Sequence, residues 1–279
     1  MKKIISVYQK KIALRLREIS LSWDGCHQLK HSINYTLLNC GKLIRSVIIL
    51  LGLDDLKMDS NQYIDVACAI EMIQSYTLIH DDLPEMDNAT MRRDKIANHL
   101  IYGHSIALLA GDALLTDTFL VLSNLKISDH QKVALIHLFA QKAGTSGVCF
   151  GQTLDMINQT NGFDDWSEIE DMIKYKTCAL FELSFQTIGL LALLNDEKLS
   201  KLAELGYLYG MAFQIQDDLN DDNLVDDINL IHKTNYHQIF GKEKALEKID
   251  QILSQIEKLC IIIFGEKNKI FAYLKSTFK

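Results

Sequence analysis

Proline is almost absent from this sequence: Pro84 is the single proline among 279 residues. The 14 glycines are scattered, and no tract rich in serine, glycine or proline interrupts the chain. Proline breaks helices, and flexible tracts of these residues separate domains. Their scarcity therefore predicts a single domain, residues 1–279, made largely of helices. The apolar content of 48% is enough to fill a large core.

No two of the six cysteines have the C-x-x-C spacing of a zinc or redox site. They are widely separated, and most have apolar neighbours, at positions 26, 40, 68, 149, 178 and 260. This pattern predicts reduced cysteines in a core, which are typical of cytoplasmic proteins. We therefore expect a cytoplasmic location.

Long apolar runs are also missing. The longest, such as residues 47–53 and 260–264, are far shorter than the roughly 20 residues that span a bilayer. The first residues are positively charged, but Lys10 and Lys11 follow before the apolar region of a signal peptide develops. We expect a protein without a membrane anchor.

Positive charge is in deficit, because the formal net charge is -7. Proteins that bind nucleic acid present lysine and arginine to its phosphates. The sequence therefore predicts no nucleic-acid partner, and basic side chains are expected to matter only locally.

Apolar residues recur at intervals of three and four through most of the chain, which is the spacing of one helix face. The periodic stretches are residues 4–19, 31–53, 63–80, 105–125, 130–142, 166–194, 199–218, 235–264 and 270–278. Strand-like alternation with turn dipeptides is nearly absent. The predicted fold is all-α, a helical bundle around a central cavity.

Two clusters of aspartate follow apolar stretches, so we expect them at helix ends that border the core. Their carboxylates are those of Asp81, Asp82, Asp87, Asp217, Asp218 and Asp221. Unpaired charge beside a core is costly, and a divalent metal would offset that cost. Hard oxygen ligands suit Mg²⁺, which also keeps water and substrate phosphates in its shell. The clusters predict a magnesium site for a phosphorylated substrate, where two helices face each other across the cavity.

The spacing within each cluster has a further consequence. Asp217 and Asp221 are four residues apart, so on a helix they crowd one face, with Gln214 one turn before Asp218. In the first cluster, Pro84 disfavours helix in the residue before it. The helix is expected to break there and to return Asp87 toward Asp81. An isolated acidic pair would more often be solvated surface, but two clusters with apolar lead-ins favour the metal site.

Basic residues near the aspartates predict phosphate-binding groups, because guanidinium and ammonium groups form charge-assisted hydrogen bonds with phosphate. The candidates are Gly41-Lys42-Leu-Ile-Arg45 at a predicted helix start, Arg92-Arg93, Lys176-Thr177 and Lys233. Each lysine alone would be an ordinary exposed residue. Their positions relative to the aspartates make them candidates.

These residues resemble the motifs of the trans-isoprenyl diphosphate synthases, most closely the bacterial farnesyl diphosphate synthases. The resembling motifs are G-K-x-x-R at 41–45, T-L-I-H-D-D at 77–82, the long D-D-x-x-x-x-D form at 81–87, the arginine pair, L-A-G-D-A-L at 109–114, G-Q-x-x-D at 151–155, K-T at 176–177 and the second aspartate motif at 213–221. They run along most of the chain. The resemblance implies one polyprenyl synthetase domain with an isoprenoid-synthase-type helical bundle.

The resemblance also implies an activity: Mg²⁺-dependent head-to-tail condensation of isopentenyl diphosphate with dimethylallyl or geranyl diphosphate, giving farnesyl diphosphate. Three Mg²⁺ ions, or Mn²⁺ as an alternative, would be held by Asp81, Asp87 and Asp217, with Asp82, Asp218 and Asp221 acting through water. The implied catalytic and allylic-substrate residues are Arg92, Lys176, Thr177, Gln214 and Lys233. Those implied for isopentenyl diphosphate are Gly41, Lys42, Arg45, Gln74 and Arg93.

Product length would depend on the floor of an apolar tunnel below the first aspartate motif. In the family that this chain resembles, an aromatic residue five places before the first aspartate forms that floor. Here Tyr76 occupies this place, with Thr77 next to it. This pattern resembles the farnesyl type and implies a C15 product. The alternatives are that Tyr76 is an ordinary core aromatic and that the product is geranylgeranyl diphosphate, C20.

The sequence departs from the family pattern at several places. Ser46 replaces a proline, Gln74 a histidine and Asp94 a glycine, and no lysine or arginine lies between Asp221 and Lys233. The last departure predicts weaker binding of the allylic substrate. It leaves open a weakly active or regulatory subunit.

A terpene cyclase would not need Lys42, Arg45 and Arg93. The family also implies a homodimer, with residues 107–120 as a contact helix.

Overall fold

The structure, a computed structural model, describes residues 1–163, 165–221 and 235–278, with the backbone alone at Asp221. Its contacts divide the chain into two compact units, which are described separately. The first comprises Met1–Asp54 and Asp59–Ile136, and the second Asp55–Met58 and His137–Lys279. The candidate Lys233 lies outside the described residues.

Helices account for nearly all regular structure in the first unit. In chain order the elements are α1 (Lys2–Ser22), α2 (His27–Leu37), α3 (Ile44–Asp55), a 3-10 turn (Ser60–Tyr63), α4 (Ile64–Asp81), β1 (Met91–Arg92), β2 (Lys95–Ile96), α5 (Asn98–Tyr102) and α6 (His104–Ser123). α7 (Asp129–Ala143) crosses the boundary after Ile136. α4 lies at the centre, because it is buried along most of its length and packs against α1, α2 and α6.

The second unit is also helical. Its elements are α8 (Val148–Asn161), α9 (Trp166–Ile173), a π-helical turn (Lys174–Cys178), α10 (Ala179–Leu191), α11 (Asp196–Asp221), α12 (Tyr236–Phe240), α13 (Lys242–Phe264) and α14 (Ile270–Ser276). α11 packs against α10 and α13. A β-carbon added to Gly206 would lie 2.4 Å from Glu182 Cα, so this glycine allows α10 and α11 to approach closely.

The prediction of an all-α fold is confirmed, although some boundaries were wrong. The stretch 31–53 was expected to be one helix, but the chain leaves the helix after residue 37, and Leu43 adopts a left-handed φ of 52°. The stretch 166–194 is interrupted by the π-helical turn. Periodicity predicted neither α8 nor the short β1–β2 hairpin, whose turn residues Arg93 and Asp94 have φ values of 51° and 61°.

The cysteines follow the predicted pattern in part. Cys68, Cys178 and Cys260 are buried, whereas Cys26 and Cys149 are exposed, which corrects the expectation for those two positions. All six lie within the described residues, and each is a free thiol. Burial raises the pKa of the Cys260 thiol to about 12. A thiol with so high a pKa is unreactive at neutral pH.

One helix among the described residues, α6, is long and apolar enough to cross a membrane by length and composition. Its most apolar window has a mean hydropathy of 1.7, and 33% of that window is buried.

Candidate active site

The first aspartate motif lies at the carboxyl end of α4, where the chain turns back on itself. Asp81 is the last residue of the helix, and the backbone N–H of Asp87 donates to the Asp81 carbonyl at 2.9 Å. The N–H groups of Met86 and Asn88 both donate to the Leu83 carbonyl, which closes the turn around Pro84. The predicted return of Asp87 toward Asp81 is therefore confirmed. The negative end of the α4 dipole adds to the charge of these carboxylates, so the turn attracts cations.

Asp82 is paired with Arg92. Both Nε and Nη2 of Arg92 donate to Asp82 Oδ1, at 2.8 and 2.5 Å, and Asp82 is only 2% exposed. Burial raises the pKa of Asp82, while the guanidinium opposes that shift. Arg92 thus ties β1 to the end of α4 and keeps one cation beside the first motif.

Arg93, the next residue, lies against the G-K-x-x-R motif. Its Nη1 donates to the Asn39 carbonyl at 3.0 Å, and a β-carbon added to Gly41 would lie 3.0 Å from Arg93 Nε. The guanidinium therefore covers Gly41, and any larger residue there would push it aside. Asp94, which stands where the resembling family has glycine, adopts a left-handed conformation that aspartate tolerates better than most residues.

The G-K-x-x-R motif lies at the start of α3, as predicted, but its first three residues are not helical. Residues 41–43 precede α3, and Lys42 is exposed on this non-helical segment, with its carbonyl accepting from Gln9 Nε2 at 2.8 Å. Arg45 lies in the first turn of α3 and is half-buried. The left-handed backbone at Leu43 accounts for the difference, because a helix cannot run through it.

Ser46 and Glu71 form a buried contact that sequence reasoning missed. Ser46 Oγ donates to Glu71 Oε1 at 2.5 Å, and the Ser46 backbone N–H donates to the same oxygen at 3.3 Å. Glu71 thereby caps the start of α3 from the side of α4. Proline, the family residue at 46, has no N–H for this bond. The only sequence signal was an acidic residue inside an otherwise apolar stretch.

His80 and Gly111 connect the first aspartate motif to the L-A-G-D-A-L motif. A β-carbon at Gly111 would lie 2.1 Å from His80 Nε2, and that nitrogen is 3.0 Å from the Leu108 carbonyl. His80 thus lies in a notch on α6 that exists only because residue 111 has no side chain. The residue before Asp81 is held in place by this packing.

The proposed floor residues lie one to two turns earlier on α4. Tyr76 is buried, and its ring meets that of His80 edge-on with centroids 5.8 Å apart. Thr77 Oγ1 donates to the Gln74 carbonyl at 2.9 Å. The buried Oε1 of Gln74 has no hydrogen-bond partner among the described residues. An acceptor left this way marks Gln74 as a side chain able to receive a donor from a ligand or water.

In the second unit, Lys176 is held by the G-Q-x-x-D motif. Lys176 Nζ donates to Asp155 Oδ2 at 2.5 Å, and Gln159 Nε2 donates to the same oxygen at 3.1 Å. A β-carbon at Gly151 would lie 2.0 Å from the backbone nitrogen of Lys176, so this glycine lets α8 pack directly on the π-helical turn. The sequence places Gly151 and Asp155 in one motif, but their contacts with Lys176 become visible only in the folded structure.

A chain of hydrogen bonds links the K-T pair to the second aspartate motif. Thr177 Oγ1 donates to Gln214 Oε1 at 2.6 Å, and Gln214 Nε2 donates to Asp218 Oδ1 at 2.8 Å. The predicted placement of Gln214 on the face of Asp218 is therefore confirmed. Asp155, Lys176, Thr177, Gln214 and Asp218 line one crevice in this unit.

The donors present fit Mg²⁺, or the similarly hard Mn²⁺, rather than a metal that prefers thiolate and imidazole ligands, such as Zn²⁺. Within residues 1–163, 165–221 and 235–278, no group of three or more histidine, cysteine, aspartate or glutamate side chains is close enough to hold a metal by itself. Mg²⁺ seldom uses such a complete protein shell, since it binds one or two carboxylates together with water and phosphate oxygens. Asp81 and Asp87 in one motif and Asp217 and Asp218 in the other supply carboxylates of that kind.

Aspartates at helix ends and a neighbouring arginine pair are the groups that a Mg²⁺-dependent enzyme acting on diphosphates requires. The family model described as polyprenyl synthetase matches residues 26–234, which identifies the chain as a prenyltransferase. The chain belongs to the polyprenyl synthetase family, which confirms the resemblance seen in its motifs.

Curated relatives agree with this assignment. The farnesyl diphosphate synthase of Micrococcus luteus is 38% identical over 194 residues, which cover 70% of this chain and 66% of that protein. The farnesyl diphosphate synthase of Bacillus subtilis (strain 168) is 32% identical over 266 residues, covering 91% and 86%.

Solved structures match the whole chain. An FPP/GFPP synthase from Zymomonas mobilis superposes with a TM-score of 0.91 at 27% identity, covering 100% of this chain and 98% of that one. A geranyltransferase from Helicobacter pylori complexed with magnesium and isoprenyl diphosphate gives a TM-score of 0.84 at 25% identity, with coverage of 99% and 95%.

Proposed function

We propose that the chain, acting as one polyprenyl synthetase domain over residues 1–279, condenses isopentenyl diphosphate with dimethylallyl or geranyl diphosphate to give farnesyl diphosphate. The observation that carries the proposal is the hydrogen bond from the Asp87 N–H to the Asp81 carbonyl. This bond folds the first aspartate motif into a turn, and it brings the backbone of Asp87 back to that of Asp81. The names of the two farnesyl diphosphate synthases reported above support the product.

Mg²⁺ is the proposed cofactor, with three ions and with Mn²⁺ as an alternative. The proposed ligands, direct or through water, are Asp81, Asp82, Asp87, Asp217, Asp218 and Asp221. When bound, the metal neutralises the allylic diphosphate and makes it a better leaving group. The magnesium and isoprenyl diphosphate bound by the Helicobacter pylori geranyltransferase support this choice.

Side chains of this protein are proposed to bind the allylic diphosphate and to stabilise the cation that it forms. Lys176 and Arg92 are proposed to donate to the diphosphate, with Gln214, and with Lys233 outside the described residues. Since the Thr177 hydroxyl proton is directed to Gln214, the lone pairs of its oxygen are the part left to stabilise the allylic cation. The double bond of isopentenyl diphosphate is the nucleophile that attacks the allylic cation, and the departing diphosphate is proposed to take the proton that the new chain then releases. Neither a side-chain nucleophile nor a side-chain base is required.

Isopentenyl diphosphate is proposed to bind at Gly41, Lys42, Arg45, Gln74 and Arg93. One finding within the first unit supports this set: the Arg93 guanidinium lies over Gly41, so it adds a cation to the motif that contains Lys42 and Arg45. Gln74 is proposed to bind through its amide NH₂ group, which donates hydrogen bonds to a diphosphate. A cyclase that ionises one prenyl diphosphate without elongation would have no use for this second cationic group.

A C15 product is proposed because Tyr76 is buried beside His80, directly below the first motif on α4. A side chain of this size closes apolar space that a growing chain would otherwise enter. Thr77 is buried next to it and completes the proposed floor.

The test is to incubate the purified protein with isopentenyl diphosphate, either primer and Mg²⁺, and to measure the chain length of the dephosphorylated products. A dominant C15 alcohol, lost with a chelator and with Asp81→Asn but kept with the exposed control Asp250→Asn, supports the proposal. A C20 product would keep the reaction and overturn the role of Tyr76. No elongation with either primer would favour a subunit that needs a partner.

We also propose a cytoplasmic homodimer. The six free cysteines support a reducing compartment. The outer face of α6 exposes Leu108, Leu109 and Leu120, each about half accessible, as a candidate contact between copies. Sedimentation velocity tests this: the protein should run as a dimer, and Leu109→Lys with Leu120→Lys should shift it toward the monomer.

A further inference from the structure

The outer face of α1 carries an ordered line of exposed apolar side chains. The opposite face of this helix is buried through Tyr8, Ile12, Leu16 and Ile19. Away from that core, Val7, Leu14 and Leu21 are 42%, 63% and 70% exposed. They are spaced by seven residues, which is close to two helical turns, so the three side chains lie along one line.

A line of cations runs beside the apolar one. Lys3, Lys10 and Arg17 are exposed, and they precede Val7, Leu14 and Leu21, respectively, by four residues. Residues four apart on a helix are neighbours, so each cation lies next to one apolar side chain. The outer face of α1 is therefore a basic and apolar strip about five turns long.

The charge of α1 opposes that of the rest of the protein. α1 contains six lysines and arginines and one acidic residue, Glu18, which gives +5 in a chain whose net charge is -7. Arg15 is engaged by Asp65 and Glu18. Among the described residues, no acidic side chain forms a salt bridge with Lys3, Lys10 or Arg17. These cations therefore concentrate positive potential on the outer face of α1 in a protein of negative net charge. Such a distribution orients a protein toward an anionic surface.

We infer that the outer face of α1 docks the protein onto an anionic phospholipid bilayer. Charge and apolarity occur together on this strip, and a bilayer interface satisfies both, since headgroup phosphates bind the cations while apolar side chains enter the boundary with the acyl chains. A second copy of α1 would bring like charges together along the whole strip. A nucleic acid would leave the leucines exposed to water.

This inference does not depend on the proposed prenyl transfer, because no residue of the strip belongs to the candidate active site. If that activity holds, docking would keep the enzyme close to the bilayer, and an apolar C15 chain partitions into that bilayer.

The experiment is co-sedimentation of the full-length protein with vesicles of phosphatidylcholine alone and of equimolar phosphatidylcholine and phosphatidylglycerol. We expect binding to the anionic vesicles at low salt and its loss at high salt. The variant Lys3→Glu/Lys10→Glu/Arg17→Glu should bind them at least about tenfold more weakly. Leu14→Ser/Leu21→Ser should also bind more weakly, because two of the three apolar side chains of the strip are removed.

The matched control reverses three exposed lysines elsewhere, on α13: Lys242→Glu/Lys244→Glu/Lys258→Glu has the same change in net charge and should bind nearly as the wild type. Circular dichroism checks that each variant is folded. The inference is overturned if the wild type does not bind anionic vesicles, or if the α13 control loses as much binding as the α1 variant. It is also overturned if Leu14→Ser/Leu21→Ser binds normally but changes the oligomeric state, since a second copy would then occupy this face.

Discussion

Lys176 is bound to Asp155, a carboxylate with no exposed surface, through a hydrogen bond of 2.5 Å between Nζ and Oδ2. The two residues lie on the π-helical turn and on α8, and Gly151 allows these segments to meet. π-helical turns often occur at functional sites. Here the turn places Lys176 against its anchor and Thr177 against Gln214 in the same crevice.

Replacing the anchor should loosen Lys176. In Asp155→Asn an acceptor remains but the charge is lost, so the ammonium group is held less firmly. We expect kcat/KM for the allylic diphosphate to fall about tenfold, with little change in KM for isopentenyl diphosphate. Steady-state kinetics measures both, and Asp250→Asn is the control. Equal losses for the two substrates would instead indicate a general structural defect.

Filling the notch at Gly111 should displace His80. The added β-carbon of Gly111→Ala would lie 2.1 Å from His80 Nε2, so the His80 ring must leave the notch or the helices must move apart. We expect a loss of about 1–3 kcal/mol in the free energy of unfolding, measured with urea, and reduced prenyl transfer. His80→Ala provides the control, because Gly111→Ala should cost clearly less stability in that background. An equal cost in both backgrounds would contradict the packing argument.

Substitutions of Ser46 should lower the free energy of unfolding in steps, because this residue makes two hydrogen bonds to Glu71 at the start of α3. Ser46→Ala removes the hydroxyl but keeps the N–H, and it should lower the free energy of unfolding by about 1 kcal/mol. Ser46→Pro removes both donors to Glu71 and should cost about 1–3 kcal/mol. Since Arg45 lies in the same turn, KM for isopentenyl diphosphate should rise more than KM for the primer. A proline variant as stable as the wild type would show that Glu71 has another partner of equal strength.

The stability of the second unit should depend on the ionisation of Asp55. Asp55 is buried, and its Oδ2 accepts the backbone N–H groups of Lys269 and Ile270 at 2.6 and 2.9 Å, at the start of α14. Burial raises the pKa of Asp55, against the pull of these two donors. The folded state therefore keeps a proton that the unfolded state, with a pKa of about 3.9, has already lost.

The sign of the effect follows from this difference. The stability that protonated Asp55 contributes is fully present below the unfolded pKa and is lost as the pH rises through the raised folded pKa. Asp55→Asn cannot ionise. The free energy of unfolding of the wild type, minus that of the variant, should therefore decrease from acid toward neutral pH in urea titrations. A difference that is constant with pH would show that Asp55 has the same pKa in both states.

Features that depend on residues close together in sequence were predictable. Three- and four-residue periodicity gave most helices, because burying one helix face imposes that spacing on neighbouring residues. The turn at the first motif followed from Pro84, which limits the backbone of the residue before it. The placement of Gln214 beside Asp218 followed from helix geometry alone. The residue types in the motifs were enough to indicate the family.

Contacts between distant residues were decided by tertiary structure. Ser46 meets Glu71, Lys176 meets Asp155 and His80 enters the notch at Gly111, across separations of 21 to 31 residues. A sequence shows that a glycine or a buried acid is present, but the side chain facing it depends on how whole helices pack. The left-handed backbone at Leu43 and at the Arg93–Asp94 turn belongs to the same class, because the surrounding contacts hold residues there that do not favour it on their own.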